Sequence, residues 1–353
     1  MKIAVLVSGG VDSSVALALL KEQGHDLTAF YLKIWLEDEL AYLGSCPWEE
    51  DLQYVQQVCT QLQVPLEVVS LQKEYHDLVV AYTIAEVKAG RTPNPDVLCN
   101  QRVKFGAFFD KIDAQYEKVA TGHYAQVVEE KGIFYLRTSP DLIKDQTYFL
   151  SQLNQTQLAR ALFPIGHLPK EQVRALAHRY NLPTKNRKDS QGICFLGKLK
   201  FSEFIRHHIG DKTGEIKEHE TGKKLGHHQG FWYYTIGQRQ GIGLADGPWY
   251  VVAKDTRQNI VYVSCTYHDE DKPRNAFTAA QLHWIDATQP ITTDLTVKLR
   301  HGPARHGCTL KLLADGAVQV TLQTRDQGIA PGQFAVFYQD DVCLGTGVIA
   351  NVL

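Results

Sequence analysis

The apolar run Ile3-Ala4-Val5-Leu6-Val7, followed by Ser8-Gly9-Gly10-Val11-Asp12-Ser13-Ser14 and then Val15-Ala16-Leu17-Ala18-Leu19-Leu20, constrains the fold more than any other stretch. A short apolar run, a glycine pair and a second apolar run closed by Gly24 read as a buried strand, a tight turn and a helix. A strand that feeds directly into a helix belongs to a parallel sheet covered on both faces, because the helix carries the chain back to the next strand. Two adjacent glycines let the backbone approach an anion with no Cβ in the way. Ser13, Ser14 and the N–H groups of the helix start can then bond phosphate oxygens, and the helix dipole adds to the attraction.

Gly-Gly before a helix also occurs in ordinary turns, but Asp12 has little use in one. A carboxylate at the phosphate-facing end of the loop suits a metal ion or a positively polarised group in the same site. The loop has neither the Gly-Lys-Ser/Thr ending of a P-loop nor the glycine spacing of a dinucleotide fold. It resembles the pyrophosphate loop of enzymes that split ATP, release pyrophosphate and leave AMP on the substrate.

A chain of 353 residues is expected to form two or three domains. Strands at 27–32, 66–71 and 118–121 alternate with helices at 51–62 and 75–89, which extends the parallel sheet. A hairpin around Glu130-Lys131-Gly132 follows, then helical stretches at 155–162 and 170–180, a polar loop at 183–196 and a helix at 201–209. Beyond Gly210, short alternating runs separated by glycine turns take over, among them 231–234, 249–252, 260–263, 296–299, 309–313, 318–322 and 334–338. That spacing reads as small β modules, the last a barrel. The expected division is 1–205, 206–274 and 275–353, with the second boundary at the charged turn Asp269-Glu270-Asp271-Lys272-Pro273.

The formal net charge of −2 gives no global attraction to a polyanion, so a nucleic-acid partner must be held by local patches. No apolar run approaches membrane-spanning length and the N-terminus enters a strand at once, so no membrane partner is expected, and a cytoplasmic protein is. Seven cysteines at irregular spacing, with no Cys-x-x-Cys, are neither a disulfide framework nor a structural zinc pattern.

Two cysteines stand in unusual surroundings. In Arg91-Thr92-Pro93-Asn94-Pro95-Asp96-Val97-Leu98-Cys99-Asn100 the prolines imply a rigid extended segment, with Cys99 at or near the start of the next helix. A helix N-terminus with Arg102 and Lys104 nearby favours a thiolate. Asn94 and Asp96 can meet the edge of a base. Cys194, in Asp189-Ser190-Gln191-Gly192-Ile193-Cys194-Phe195, follows the basic residues Lys185, Arg187 and Lys188. Two such thiols suggest a pair that meets across an active site. Cys59, Cys265, Cys308 and Cys343 fall on apolar helical or strand patterns and read as inert, while Cys46 lies in a polar loop. Lys144-Asp145-Gln146 suits sugar, phosphate or base contacts, or equally a helix cap. His123 falls at a strand end. The turns at 235–241 and 300–302 can grip a nucleic-acid backbone.

The set SGGVDSS, GRTPNPDVLCN, ATGHY, KDQTYFL, DSQGICF, YTIGQRQG and APGQFAVFY, in this order along nearly the whole chain, resembles the tRNA-specific 2-thiouridylases. The resemblance implies an α/β pyrophosphate-loop ATPase domain followed by two small mainly-β domains. It implies replacement of the C2 oxygen of a wobble uridine in tRNA by sulfur, with ATP and Mg²⁺. Leu6, Val7, Ser8, Gly9, Gly10, Val11, Asp12, Ser13, Leu32 and Gly122 would hold ATP, with Asp12 a contact for Mg²⁺. Asn94, Pro95 and Asp96 would hold the target base. His123, Lys144, Asp145, Gln146, Arg300, His301 and Gln333 would touch tRNA. Cys194 would carry a persulfide, and Cys99 would either free its sulfur or attack C2, ending in a transient Cys99–Cys194 disulfide. A persulfide donor protein or relay and a reductant are the further partners implied. The segment 37–51 and Arg300-His301-Gly302-Pro303 depart from the family form.

Overall fold

The structure is a computed structural model and describes residues 1–34, 47–189, 200–266, 274–288, 290 and 295–353. Cys46 lies outside the described residues, and so does Cys194, and with it the expected Cys99–Cys194 disulfide.

Five strands form the first sheet: β1 (Lys2–Leu6), β2 (Asp26–Lys33), β3 (Leu66–Ser70), β4 (Lys118–Ala120) and, after the hairpin β5 (Ala125–Glu130) and β6 (Ile133–Thr138), β7 (Ala161–Leu162). Their order is β3-β2-β1-β4-β7 and every pairing is parallel. Alternation along β1 divides the core. Ile3, Val5 and Val7 face the helix Val11–Glu22, the helix Pro47–Leu62 and the helix Lys170–Arg179. Ala4 and Leu6 face the opposite layer, built around Tyr75, Val79, Val103 and Phe105. The order of strands reverses between β1 and β4, and in such a sheet the crevice beyond the carboxyl ends at that reversal is where ligands bind.

The second sheet contains β8 (Gly214–Glu218), β9 (Lys224–His228), β10 (Tyr250–Asp255) and β11 (Ile260–Ser264) in the order β10-β11-β8-β9. The third is a barrel of β12 (Ala276–Trp284), β13 (Leu295–Lys298), β14 (His306–Leu312), β15 (Val318–Leu322), β16 (Phe334–Gln339) and β17 (Val342–Val352). It runs β12-β15-β14-β13-β16-β17 and closes through β12–β17. The hairpin β5–β6 adds to β17 rather than to the parallel sheet, with Leu136 opposite Cys343.

The local reading fails in four places. The stretch 155–162 is helical only over Gln155–Arg160, and Ala161–Leu162 supplies the fifth parallel strand. Phe231–Tyr233 forms a 3-10 turn, with Phe231 and Trp232 packed into the core of the central sheet and Tyr233 against the core of the first domain, instead of alternating across a strand. The strands of that sheet's hairpin, β8 and β9, carry Lys, Glu and His and show no apolar alternation. The extended segment ends at Asn94, since Pro95 takes the first helical position, where its missing N–H costs nothing. Cys99 therefore lies a full turn inside the helical run 95–107, and the helix-start argument for its thiol weakens.

Candidate active site

Val7 and Ser8 leave β1 beside Thr121 and Gly122 leaving β4, because the parallel register sets Val5 against Ala120. Gly122 is forced: a Cβ there would stand 2.6 Å from the Ser13 nitrogen and 2.8 Å from the Asp12 carbonyl carbon. The helix start and the β4 end thus touch backbone to backbone. Gly9 is forced as well. Its φ is +75°, and a Cβ would meet the Asp51 carbonyl oxygen at 2.7 Å.

The loop is held from both sides. Ser13 Oγ accepts the Ser8 N–H at 3.2 Å, and Ser14 Oγ donates to the Gly10 carbonyl at 2.8 Å. Arg187 donates to the Gly9 carbonyl (2.7 Å) and to Asp51 (2.8 Å), with its guanidinium 4.3 Å over the Tyr54 ring. Among the described residues no side chain caps the helix at Gly10, so the first-turn N–H groups remain available to an anion.

Asp12 is engaged rather than open. Lys170 Nζ lies 2.8 and 3.0 Å from its two oxygens, and the Tyr124 hydroxyl donates to Oδ1 at 2.8 Å. Burial beside this carboxylate pushes the Tyr124 phenol far above its ordinary range. Lys170 also reaches Asp189 at 2.8 Å, where Lys144 (2.7 Å) and Arg174 converge. Burial alone would raise the Asp189 carboxyl, but the hydrogen bonds from Lys144 and Lys170 outweigh it and hold it well below the usual carboxylate range. Neither Lys170 nor Tyr124 was singled out from the sequence. A lysine at the first position of a helix opposes the macrodipole, and that was the available signal.

These groups open onto a cavity of about 420 Å³. Its walls include Leu6, Val7, Ser8, Gly10, Val11, Asp12 and Ser13 from the loop, with Leu32 from β2 and Gly122 from β4. Cys99, only 1% exposed, contributes to the same walls, as do Lys104, His123, Lys144, Gln146 and His301. Arg102 is turned away, donating to the Leu78 carbonyl at 3.0 Å. The His123 ring lies between Phe105 and Phe163 with Nδ1 2.7 Å from Thr121 Oγ1. Burial, reinforced by Lys104, draws its pKa well below the usual value, so the ring is a neutral wall. The His301 ring lies tilted against Phe149 with ring centroids 4.7 Å apart, and partial desolvation there lowers its pKa too.

The remaining expected contacts, and Gln146 of the cavity wall, are engaged in bonds within the protein. Asn94, half-buried, stands at the N-cap position of the helical run with no side-chain cap bond and hydrogen-bonds Tyr148 instead, while Pro95 is buried and Asp96 half-buried. Gln333 donates to the Thr92 carbonyl at 2.8 Å, clasping the 91–94 segment to the barrel. Gln146 pairs with the Tyr124 backbone through both its side chain and its N–H. Arg300 makes a two-pronged contact with Asp326 at 2.8 and 2.9 Å. Asp145 is fully buried and bonded to Lys298 and Thr147, which makes it a tie between the first domain and the barrel rather than a surface for RNA.

No group of three or more metal-ligating side chains occurs among the described residues, and none of their helices is long and apolar enough to cross a membrane.

Three family models match in succession: a tRNA methyl transferase HUP domain over residues 1–198, a tRNA methyl transferase PRC-barrel domain over 202–265 and an aminomethyltransferase beta-barrel domain over 274–349. A tRNA-specific 2-thiouridylase MnmA from Parabacteroides distasonis is 45% identical over 357 residues, covering 99% of each chain. A tRNA-specific 2-thiouridylase MnmA 1 from Bacteroides thetaiotaomicron is 45% identical over 359 residues, covering 99% of this chain and all of its own.

Proposed function

The chain belongs to the family of the tRNA-specific 2-thiouridylases, and from that premise we propose that it replaces the C2 oxygen of a tRNA wobble uridine with sulfur at the expense of ATP. The observation that carries the reading is that Cys99 lines the same 420 Å³ cavity as the glycine loop. A phosphate cradle alone indicates a nucleotide, whereas a cradle and a cysteine around one space suit activation of a carbonyl followed by attack of sulfur.

The C2 oxygen of the extruded uridine attacks the α-phosphorus of ATP and pyrophosphate leaves. The first-turn N–H groups of the helix Val11–Glu22 hold the phosphates, and Lys170 supplies a positive charge beside them. Mg²⁺, bound through the phosphates with Asp12 as its protein contact, would offset their charge. The terminal sulfur of a Cys194 persulfide then attacks C2, and AMP departs with the former carbonyl oxygen. Cys99 as thiolate attacks Cys194 Sγ, the sulfur–sulfur bond to the base breaks, and the base keeps its sulfur as C2=S. The resulting Cys99–Cys194 disulfide needs an external thiol for reduction, and a donor protein must rebuild the persulfide. The base leaves its stack cheaply because an anticodon loop is unpaired. The reaction belongs in the cytoplasm, with the domains divided near 205 and 275.

Mass spectrometry of tRNA nucleosides after incubation with ATP and a sulfide source tests the proposal. Sulfur in place of oxygen on uridine is the expected product, and a methyl group or an unmodified uridine would overturn it. Cys194→Ser is expected to abolish thiolation yet retain tRNA-dependent pyrophosphate release. Full sulfur incorporation by that variant would sink the persulfide role.

A further inference from the structure

The rim of the cavity carries a feature that this chemistry leaves unused. Ile143 lines the cavity yet is 71% exposed, and Leu142 beside it is 55% exposed. The other exposed large apolar side chains among the described residues stand singly, Met1 and Leu353 at the chain ends among them, and such scattered exposure is ordinary. An exposed aliphatic side chain in the wall of a reaction cavity, with a second exposed one next to it in the chain, is not.

The turn beneath the pair is firmly built. The Asp141 carbonyl accepts the N–H groups of Lys144 (3.0 Å) and Asp145 (2.8 Å). Asp141 Oδ1 accepts the Lys144 N–H at 3.2 Å, and Oδ2 accepts the Lys170 N–H at 3.0 Å. Lys144 is fixed to Asp189, and Asp145 is locked onto Lys298 in the interior. The two aliphatic side chains are therefore held in water by a braced turn, forgoing burial.

We propose that Leu142 and Ile143 form an apolar wedge that enters the anticodon-loop stack where the target uridine has left it and keeps the extruded base in the cavity. This rests on the thiouridylase reading above. Leu and Ile are side chains of the kind that proteins insert between bases, and two of them match a single base step. They are far too little for a protein partner, since a specific protein interface buries about 800 Å² on each side. The charge around them agrees: Lys104, Lys144 and Lys188 line the same cavity, in reach of the phosphates that flank an extruded base.

The test uses the full-length protein and an anticodon stem-loop RNA carrying 2-aminopurine next to the target uridine, whose fluorescence rises as its neighbour unstacks. Both side chains are exposed, so the double variant Leu142→Ser/Ile143→Ser is expected to keep the wild-type melting temperature and ATP affinity. It is expected to bind the RNA within a few-fold of wild type, to lose the fluorescence rise, and to thiolate about tenfold more slowly or worse in single turnover. Ile143→Met alone, which keeps a long apolar side chain at the rim, is expected to keep both signals. An unchanged fluorescence rise and rate in the double variant would overturn the wedge. So would a variant slow only with a persulfide donor protein and normal with inorganic sulfide, which would make the pair a protein contact. Wild-type enzyme that thiolates the RNA with no fluorescence rise removes the wedge alone. Wild-type enzyme that leaves the RNA unmodified removes the thiouridylase reading as well.

Discussion

Lys170 bridges Asp12 and Asp189, its Nζ standing 2.8 Å from an oxygen of each. One carboxylate belongs to the first turn after the glycine loop, the other to the strand of chain that leads toward Cys194. On the proposed reading, the phosphates of ATP would offer Lys170 a more highly charged acceptor than Asp12, and Asp12 would then be free to contact Mg²⁺. Lys170→Met is expected to slow tRNA-dependent pyrophosphate release on the order of 10²-fold, with Lys170→Arg partly restoring it. Asp189 keeps Lys144 and Arg174 in the variant, so melting should shift by no more than a few degrees. Unimpaired pyrophosphate release in Lys170→Met would remove the lysine from the chemistry.

Gly122→Ala sets a methyl group against backbone atoms of Ser13 and Asp12 at 2.6–2.9 Å, where no flexible side chain can move aside. The β4 end and the helix start must separate. The expected cost is about 1–3 kcal/mol of stability, with a loss of ATP affinity larger than the melting shift alone explains. Calorimetric titration of a non-hydrolysable ATP analogue, set beside a thermal melt, checks both. Wild-type affinity would show that the contact does not shape the nucleotide site.

The parts of this architecture carried by local signals were legible in the residues. β1, β2, β3 and β4 are short apolar runs, and the loop after β1 and Gly122 after β4 line one cavity together with Cys99, whose unusual surroundings were visible in the sequence but whose place beside the loop was not. What escaped was set by distant partners. Ala161–Leu162 is too short to show any period and becomes a strand only because β4 lies beside it. β12 is rich in alanine and β17 in glycine, so neither reads as a strand, yet their pairing closes the barrel. Among side chains the same division holds. Asp145 next to Lys144 looked like one polar surface, but Lys298, far along the chain, draws Asp145 inside while Lys144 stays at the cavity.

Lys254 supplies a pH signature in the central domain. Its ammonium donates to the Tyr234 carbonyl at 2.9 Å, and burial pulls its pKa down to about 8. Below pH 8 both folded and unfolded chains hold the proton, and the folded state bears the full desolvation penalty. Between about pH 8 and 10.5 only the unfolded chain binds it, so this group's contribution to stability rises with pH. Lys254→Met removes the penalty and loses one hydrogen bond, for an expected net gain of about 1–2 kcal/mol at pH 7 that shrinks toward pH 10.5. Thermal melts of both proteins across that range check it. A gain that does not change with pH would mean that the burial of charge is not its source.

Asp145 and Lys298 form an ion pair 2.7 Å long with side chains 0% and 1% exposed, joining the first domain to the barrel. Thr147 Oγ1 donates to the same carboxylate and lies 3.1 Å from the Tyr338 hydroxyl, so the remaining polar atoms are satisfied within the interior. Two opposing terms decide its worth. Taking both charges out of water costs several kcal/mol each, and their attraction roughly offsets that cost. Removing one partner keeps the cost and discards the attraction. Lys298→Met alone is therefore expected to destabilise by about 3–5 kcal/mol. Asp145→Leu/Lys298→Met together should recover most of that loss, because neither charge is then buried. Denaturant unfolding of the two singles and the double closes the cycle. A double variant as unstable as the worse single would show that the attraction, rather than the absence of a lone buried charge, holds this junction.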